Sequence, residues 1–244
     1  MDTIVLPPRP NNKEEMIKFD SDAVDGYHVL SNFYRSPITI ADYQITQAMR
    51  QVNPLLDEWF NSFDVVTWPS SEHLWQSLKA TTLGMFCAFL SKGNLGTLSD
   101  ERMKDLFGPQ FSAKKWMKKS MVGIMAKMAV RDDPKIRRRM GISDTALFYH
   151  REKLNPETER QVWLDILSLK FDQNPEAKQV LLDTGDTYLY EFQKGAAAKN
   201  RKEHWGACFS KGVFKGENAM GTYMMEIRAM LRASAADPNV DLVK

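Results

Sequence analysis

Cysteine is nearly absent. The chain has only Cys87 and Cys208 in 244 residues, too few for a disulfide framework. Each stands among apolar or small neighbours, which predicts buried thiols in a reducing compartment rather than a disulfide or a nucleophile. Histidine is scarce too. His28, His73, His150 and His204 are scattered, there is no H-E-x-x-H and no Cys/His spacing for zinc, and each reads as a structural or surface residue. Also missing are a G-x-x-x-x-G-K-[ST] or G-x-G-x-x-G phosphate loop and a G-x-S-x-G elbow. Nothing therefore marks a nucleoside triphosphatase, a triad hydrolase or a metalloenzyme, and the expectation is a protein that works without cofactor or metal. No apolar run approaches the roughly 20 residues that span a bilayer, and MDTIVLPPRP is not a basic-then-apolar signal segment. The expected location is the cytoplasm, away from membranes.

What is present is ample core-forming material, 43% hydrophobic residues with six tryptophans, in a length that suits one large or two small domains. No internal repeat or Pro/Gly/Ser-rich linker divides the chain. The expectation is one domain over residues 16–234, with an N-terminal arm over 1–15 and a tail over 235–244. Net charge is only +2, but it is unevenly spread. Between Lys114 and Arg139 stand ten basic residues against two acids, a local +8 that leaves −6 for the remainder.

Read in order, Met16 to Phe19 predicts a short strand, Tyr27 to Phe33 a second strand or a loop, and Pro37 to Ile40 a strand pairing with one of them. Ala41 to Phe60 reads as helical turns interrupted near Pro54. Leu83 to Leu90 is apolar and is broken at Lys92 to Gly96, and Ser99 to Phe107 predicts a helix closed by Gly108-Pro109. Trp116 or Met117, Met121, Ile124 or Met125, and Met128 form a stripe at helical spacing, read as core. Glu157 to Phe171 and Glu176 to Leu182 predict two helices, the second stopped at Gly185. Thr187 to Phe192 reads as a strand, Lys194 to Lys202 as a basic loop, and Ala219 to Ala233 as a closing helix capped or preceded by Asn218.

The chain is organised around Trp68 to Ala80. A proline, two serines able to cap and an early carboxylate predict a helix that starts near Ser70 or Ser71. Glu72, Gln76 and Lys79 would share one stripe, with Leu74, Trp75 and Leu78 beside it. Two readings stand for the polar stripe: a solvated face with Glu72 compensating the helix dipole, or a site presenting a carboxylate, an amide and an amine.

Further motifs surround that helix: Ser31-Asn32-Phe33-Tyr34, Lys170-Phe171-x-x-Asn174-Pro175, Leu181-Leu182-x-Thr184-Gly185-Asp186, Trp205-Gly206, Gly216-x-Asn218-x-x-Gly221 and Met225-Glu226-Ile227-Arg228. In this order, with P-S-x-E-H-x-x-Q-x-x-K at residues 69–79, the chain resembles the NADAR family, also called YbiA-like N-glycosidases. The motifs lie within residues 16–36, 68–80 and 159–231. Residues 96–155 are longer than the corresponding part of shorter members and form a basic insertion. The resemblance implies a mainly helical α+β fold with a few short antiparallel strands. It also implies cleavage of an N-glycosidic bond to ribose, in ADP-ribosyl conjugates or phosphoribosyl pyrimidines.

Such cleavage builds positive charge at the anomeric carbon and negative charge on the departing nitrogen, which a carboxylate and a cation stabilise. Glu72 and Lys79 supply one of each; alternatively Lys79 attacks the anomeric carbon and forms a Schiff base. Asp186 either orients a water or closes a turn. Carried over from the resemblance, Ser31, Asn32, Phe33, Gln76, Trp205, Gly206, Asn218 and Gly221 would bind substrate. Asn218 is equally a helix N-cap, Trp205 equally a core residue, and Trp116 or Trp163 would replace a family tryptophan that Pro156 displaces. An acid commonly precedes the W-G pair by three positions, but here Lys202 stands there and Glu203 follows. The basic segment suits a polyanion, so Lys114, Lys115, Lys118, Lys119, Arg137, Arg138 and Arg139 are expected to contact nucleic acid, with a solvated basic face as the alternative. The expected activity is removal of ADP-ribose from a base or amine, with guanine in DNA as the leaving group considered. The alternatives are an N-glycosidase of phosphoribosylated riboflavin precursors and a non-catalytic ADP-ribose or nucleic-acid binding module.

Overall fold

The computed structural model describes residues 4–20, 23, 25–97, 121–130, 154–193 and 203–236. The helix expected at 99–107, the loop at 194–202, Trp116 and most of the basic insertion lie outside the described residues. In chain order the elements are β1 (Met16–Phe19), a 3-10 turn at Tyr27–Leu30, β2 (Ile38–Ala41), α1 (Gln47–Val52), α2 (Leu56–Phe60), β3 (Val65–Trp68), α3 (Ser71–Ser77) and α4 (Leu83–Ala88). Then follow α5 (Met121–Ala129), α6 (Pro156–Gln173), α7 (Pro175–Asp183), β4 (Tyr188–Glu191), β5 (Cys208–Ser210), β6 (Val213–Lys215) and α8 (Ala219–Ala236). The fold is mainly helical, with short strands in two-stranded pairs.

The residues group into two compact units, one of Asn32–Asn174 and one of Met1–Ser31 with Pro175–Lys244. In the unit of residues 32–174, β2 pairs antiparallel with β3, so that Ile38 faces Trp68 and Ile40 faces Val66. The expected partner of β2 was β1 or the 27–33 segment. The β-branched Val65-Val66-Thr67 run just before the Trp68-Pro69 break supplies it instead. Phe86 on α4 lies 5.1 Å from Trp59 and 5.7 Å from Trp68, centroid to centroid, and fixes an aromatic core. Helix α6 begins at an Asn155 cap with Pro156 in its first turn. It holds α1 through Thr46, whose hydroxyl caps α1 and donates to Asp165. Burial raises the Asp165 carboxyl above its ordinary range, against the hydrogen bonds from Thr46 and Gln161.

On α5 the buried positions are Gly123, Ala126 and Ala129, while Met128 is only half-buried. The methionine stripe was expected to be core; at Met128 it is not. Small side chains take the packed face because the backbone of α5 lies against a loop: a Cβ at Gly123 would stand 2.6 Å from Phe33 Cα.

In the other unit, β1 pairs with β4, Met16 opposite Tyr188, in parallel rather than antiparallel. Residues 27–33, expected as a strand or a loop, are a 3-10 turn over 27–30. Tyr188, Leu189 and Tyr190 are all buried, because α8 packs on β4. That contact depends on Gly221, where a Cβ would meet Leu189 O and Asn218 Nδ2 at 2.4 Å. Asn218 itself is in the left-handed conformation, φ 59°, which asparagine tolerates. Its Oδ1 accepts from Glu191 N at 3.1 Å, and its Nδ2 donates to Leu189 O at 2.9 Å and to Tyr188 Oη at 3.3 Å.

Asn218→Ala should lower stability by about 2 to 4 kcal/mol, since it strands a buried amide donor and a carbonyl. Gly221→Ala should cost a comparable amount. Both are measurable as shifts in the midpoint of chemical denaturation, and an unchanged midpoint would remove Asn218 from its place as the link between α8 and β4.

Candidate functional site

Helix α3 starts where its sequence places it. Ser70, in extended conformation, is the N-cap, and its Oγ accepts from His73 N at 3.4 Å. What the residues alone did not decide is that every residue from Ser71 to Ser77 is buried. Glu72 is 5% exposed and Lys79 9%, so the polar stripe is not a solvated face. The helix ends at Ser77 with Leu78 as C-cap. Lys79 therefore lies just past the helix rather than on a continuous stripe with Glu72, its N–H donating to Gln76 O at 3.2 Å.

The first turn is tied to the S-N-F loop by Glu72 N donating to Asn32 O at 3.1 Å. One turn on, Gln76 Nε2 donates to Glu72 Oε1 at 2.6 Å, which orients the carboxylate. Three buried oxygens around this start, Asn32 Oδ1, Ser71 Oγ and Gln76 Oε1, have no hydrogen-bond partner among the described residues. Leaving such groups dry costs on the order of 1 to 3 kcal/mol each, and buried polar atoms without partners are uncommon in folded proteins. Beyond the helix, Lys79 Nζ stands 5.0 Å from the centre of the Trp75 ring, whose other neighbour is Trp163 on α6 at 5.3 Å. Trp163, one of the two rings weighed as a replacement, is thus adjacent to the Lys79 platform. A second cation, Lys127 on α5, lies over Phe33 at 5.4 Å. It was not picked out as a site residue, because within the basic segment nothing distinguishes it from its neighbours; only its spacing from Gly123, on the packed side of α5, hinted at it.

His73 is a structural residue, as its isolation suggested. Its Nδ1 meets Ser70 Oγ at 2.8 Å and its Nε2 meets Leu95 O at 3.3 Å. A carbonyl only accepts, so Nε2 carries the proton and the serine hydroxyl donates to Nδ1. Desolvation lowers the ring's pKa to about 4, helped by the Arg35 charge and opposed by the bond to Leu95.

Asn32, Phe33, Glu72, Gln76 and Lys79 all belong to the unit of residues 32–174, around α3. Ser31, Asp186, Trp205, Gly206, Asn218 and Gly221 belong to the other unit. Ser31 is buried there, donating through its N–H to His28 O at 3.1 Å. Three of these residues depart from expectation. Asp186 has a side chain 95% exposed and pairs with Arg232, so it closes a turn and lacks the enclosure a water-orienting acid needs. Asn218 is fully buried with donors and acceptor spent on β4, and Gly221 spends its missing Cβ on the same strand, so neither side is turned to a ligand. Gly206 likewise approaches Glu191 O, where a Cβ would stand 2.7 Å away. Trp205 is half-buried, edge-on to His204 at 4.8 Å. Glu203, the acid displaced by one position, accepts from Gln193 at 2.7 Å. Arg228 of the M-E-I-R motif donates to Thr184 Oγ1 at 2.7 Å and to Thr187 O at 2.9 Å, fastening the T-G-D turn to α8. Burial, aided by Arg232, lowers its pKa from the usual arginine value. The seven basic residues expected at nucleic acid lie outside the described residues. Both cysteines are free thiols; Cys208 is buried as expected, but Cys87 is only half-buried, and its partial desolvation raises its pKa. Among the described residues no group of three or more His, Cys, Asp or Glu is placed to hold a metal ion, and no helix is long and apolar enough to cross a membrane.

Comparison with known proteins adds two findings. The profile of the NADAR domain matches residues 18–232. A solved NMR structure of the E. coli protein YbiA is similar with a TM-score of 0.41 and 20% identity, covering 91% of this chain and 88% of that one. No curated protein matches.

The neutral His73 links α3 to pH. Because its folded pKa of about 4 lies below the ordinary histidine value of 6.5, the unfolded chain binds more protons between these values. Its contribution is complete above pH 6.5 and is lost as pH falls toward 4, a loss of about 3 kcal/mol. His73→Gln should flatten the pH dependence of the denaturation midpoint across that window; an unchanged slope would show that His73 does not carry it.

Proposed function

The chain belongs to the NADAR family, and from that premise we propose that it is an N-glycosidase that releases ADP-ribosyl groups from a base or amine. The family is associated with N-glycosidase activity. The observation that carries the finer reading is the buried start of α3: the Glu72 carboxylate oriented by Gln76, beside unpartnered Asn32 Oδ1 and Gln76 Oε1. Acceptors of this kind suit the hydroxyls of a ribose. A carboxylate held among them suits the positive charge that grows on the anomeric carbon as the C–N bond breaks.

In the reaction proposed here, the C1′–N bond cleaves, its electron pair leaves with the nitrogen, and the nitrogen takes a proton. Glu72 stabilises the oxocarbenium ion that remains. Water then adds to C1′ and loses a proton. Lys79, nearly buried against Trp75, either stabilises the departing base as a cation or attacks C1′ itself. Guanine in a polynucleotide is the leaving group we favour, and what supports it is the density of positive charge between Lys114 and Arg139.

Incubation with a DNA oligonucleotide bearing ADP-ribosylated guanine, beside an ADP-ribosylated arginine peptide, tests the reading. Wild type should release ADP-ribose from the DNA. Glu72→Gln and Lys79→Ala should each be slower by at least about a hundredfold. Lys79→Arg keeps activity if the charge matters and loses it if the amine attacks. No release from either conjugate by wild type would overturn the reading in favour of a phosphoribosyl substrate or a binding role. If the basic segment meets the polyanion, affinity for DNA should fall steeply with salt, and Lys118→Glu with Arg138→Glu should weaken it and flatten that slope. Binding insensitive to both would detach nucleic acid from the proposal.

A further inference from the structure

Lys127 is half-buried on α5, and it has no carboxylate partner among the described residues. Its Nζ stands over the face of Phe33, 5.4 Å from the ring centre. A cation over a ring is stabilised electrostatically, but the ring accepts none of the ammonium's three N–H bonds. The placement is also built in. The backbone of α5 is pressed onto the loop at Gly123, where a Cβ would come within 2.6 Å of Phe33 Cα and 2.9 Å of Phe33 O. The cation is therefore presented next to one residue of the loop, and the preceding residue, Asn32, offers a buried Oδ1 without a partner.

Asn32-Phe33 thus carries two opposite demands. On Asn32, and on Gln76 of α3, buried amide oxygens call for donors, and the unpartnered Ser71 hydroxyl beside them can accept or donate. On Phe33, an ammonium calls for an anion. A neutral sugar would meet the first and leave Lys127 unused. A free phosphate would meet the second and be repelled by the acceptors and by Glu72. A sugar carrying a phosphate meets both.

We infer that Lys127 binds a phosphate oxygen of the substrate while the oxygens around the start of α3 take the sugar hydroxyls, so that phosphate sets which end of the substrate faces Glu72. This inference rests on the function proposed above and adds to it a residue and a substrate group. The geometry also gives Phe33 a second task, as the surface that holds Lys127 in place.

Calorimetric titration of the full chain tests it, with ribose 5-phosphate, ribose and ADP-ribose as ligands for wild type, Lys127→Met and Lys127→Arg. Wild type should bind ribose 5-phosphate more tightly than ribose by about tenfold, the size of one charge-assisted hydrogen bond. Lys127→Met should lose about that factor for ribose 5-phosphate and ADP-ribose and none for ribose, and Lys127→Arg should recover most of it. Wild-type affinity for ribose 5-phosphate in Lys127→Met, with ADP-ribose still bound, would overturn the assignment of Lys127 and leave the proposed function standing. Failure of wild type to bind either phosphorylated ligand would overturn both.

Discussion

Helix α3 is buried from end to end, so each polar group in its first turn has to be satisfied inside the protein. Several contacts around its start answer that demand. Ser70 turns its hydroxyl to His73 twice over, accepting from the backbone N–H and donating to the ring. The ring passes its own N–H to Leu95 O, and the S-N-F loop sends Asn32 O to Glu72 N. Desolvation then keeps His73 neutral, which confines charge in this turn to the carboxylate of Glu72.

The same arrangement leaves a residue of unmet demand. Internal donors reach the backbone and Glu72 Oε1 but not Asn32 Oδ1, Ser71 Oγ or Gln76 Oε1. Two amide oxygens and a hydroxyl left without partners around one helix start suit a ligand that brings hydrogen-bonding groups of its own. Lys79 over Trp75 and Lys127 over Phe33 add cations set against aromatic faces.

Glycine has a consistent part in both units, and it concerns the protein's own backbone. Gly123 brings α5 onto Phe33, and Gly221 brings α8 onto β4. In the second case the G-x-N-x-x-G pattern is a packing device. Its asparagine reaches from the head of α8 to three groups of β4, and its last glycine clears the space that this reach requires.

Much of the secondary structure was legible in the chain. The Ser70 cap, a helix running on from Glu157, the stop of α7 at Gly185 and the limits of β1 are local matters, decided by capping oxygens, φ preferences and short-range patterning; the Asn155 cap and Pro156 at the head of α6 come from the structure. Glu72 and Gln76 sharing a face follows from helical spacing alone. Pairing did not follow: β2 with β3, and the parallel match of β1 with β4, depend on residues far apart in sequence, about which a four-residue strand says little. Nor could the residues reveal that the polar stripe of α3 is buried, that Lys79 falls beyond the helix end, or that Asn218 faces β4 while Asp186 faces solvent. Residue type and spacing determine which chemistry a side chain carries. Burial and partners belong to whatever the tertiary fold brings against it, and here that decided which polar groups are spent on structure and which remain for a ligand.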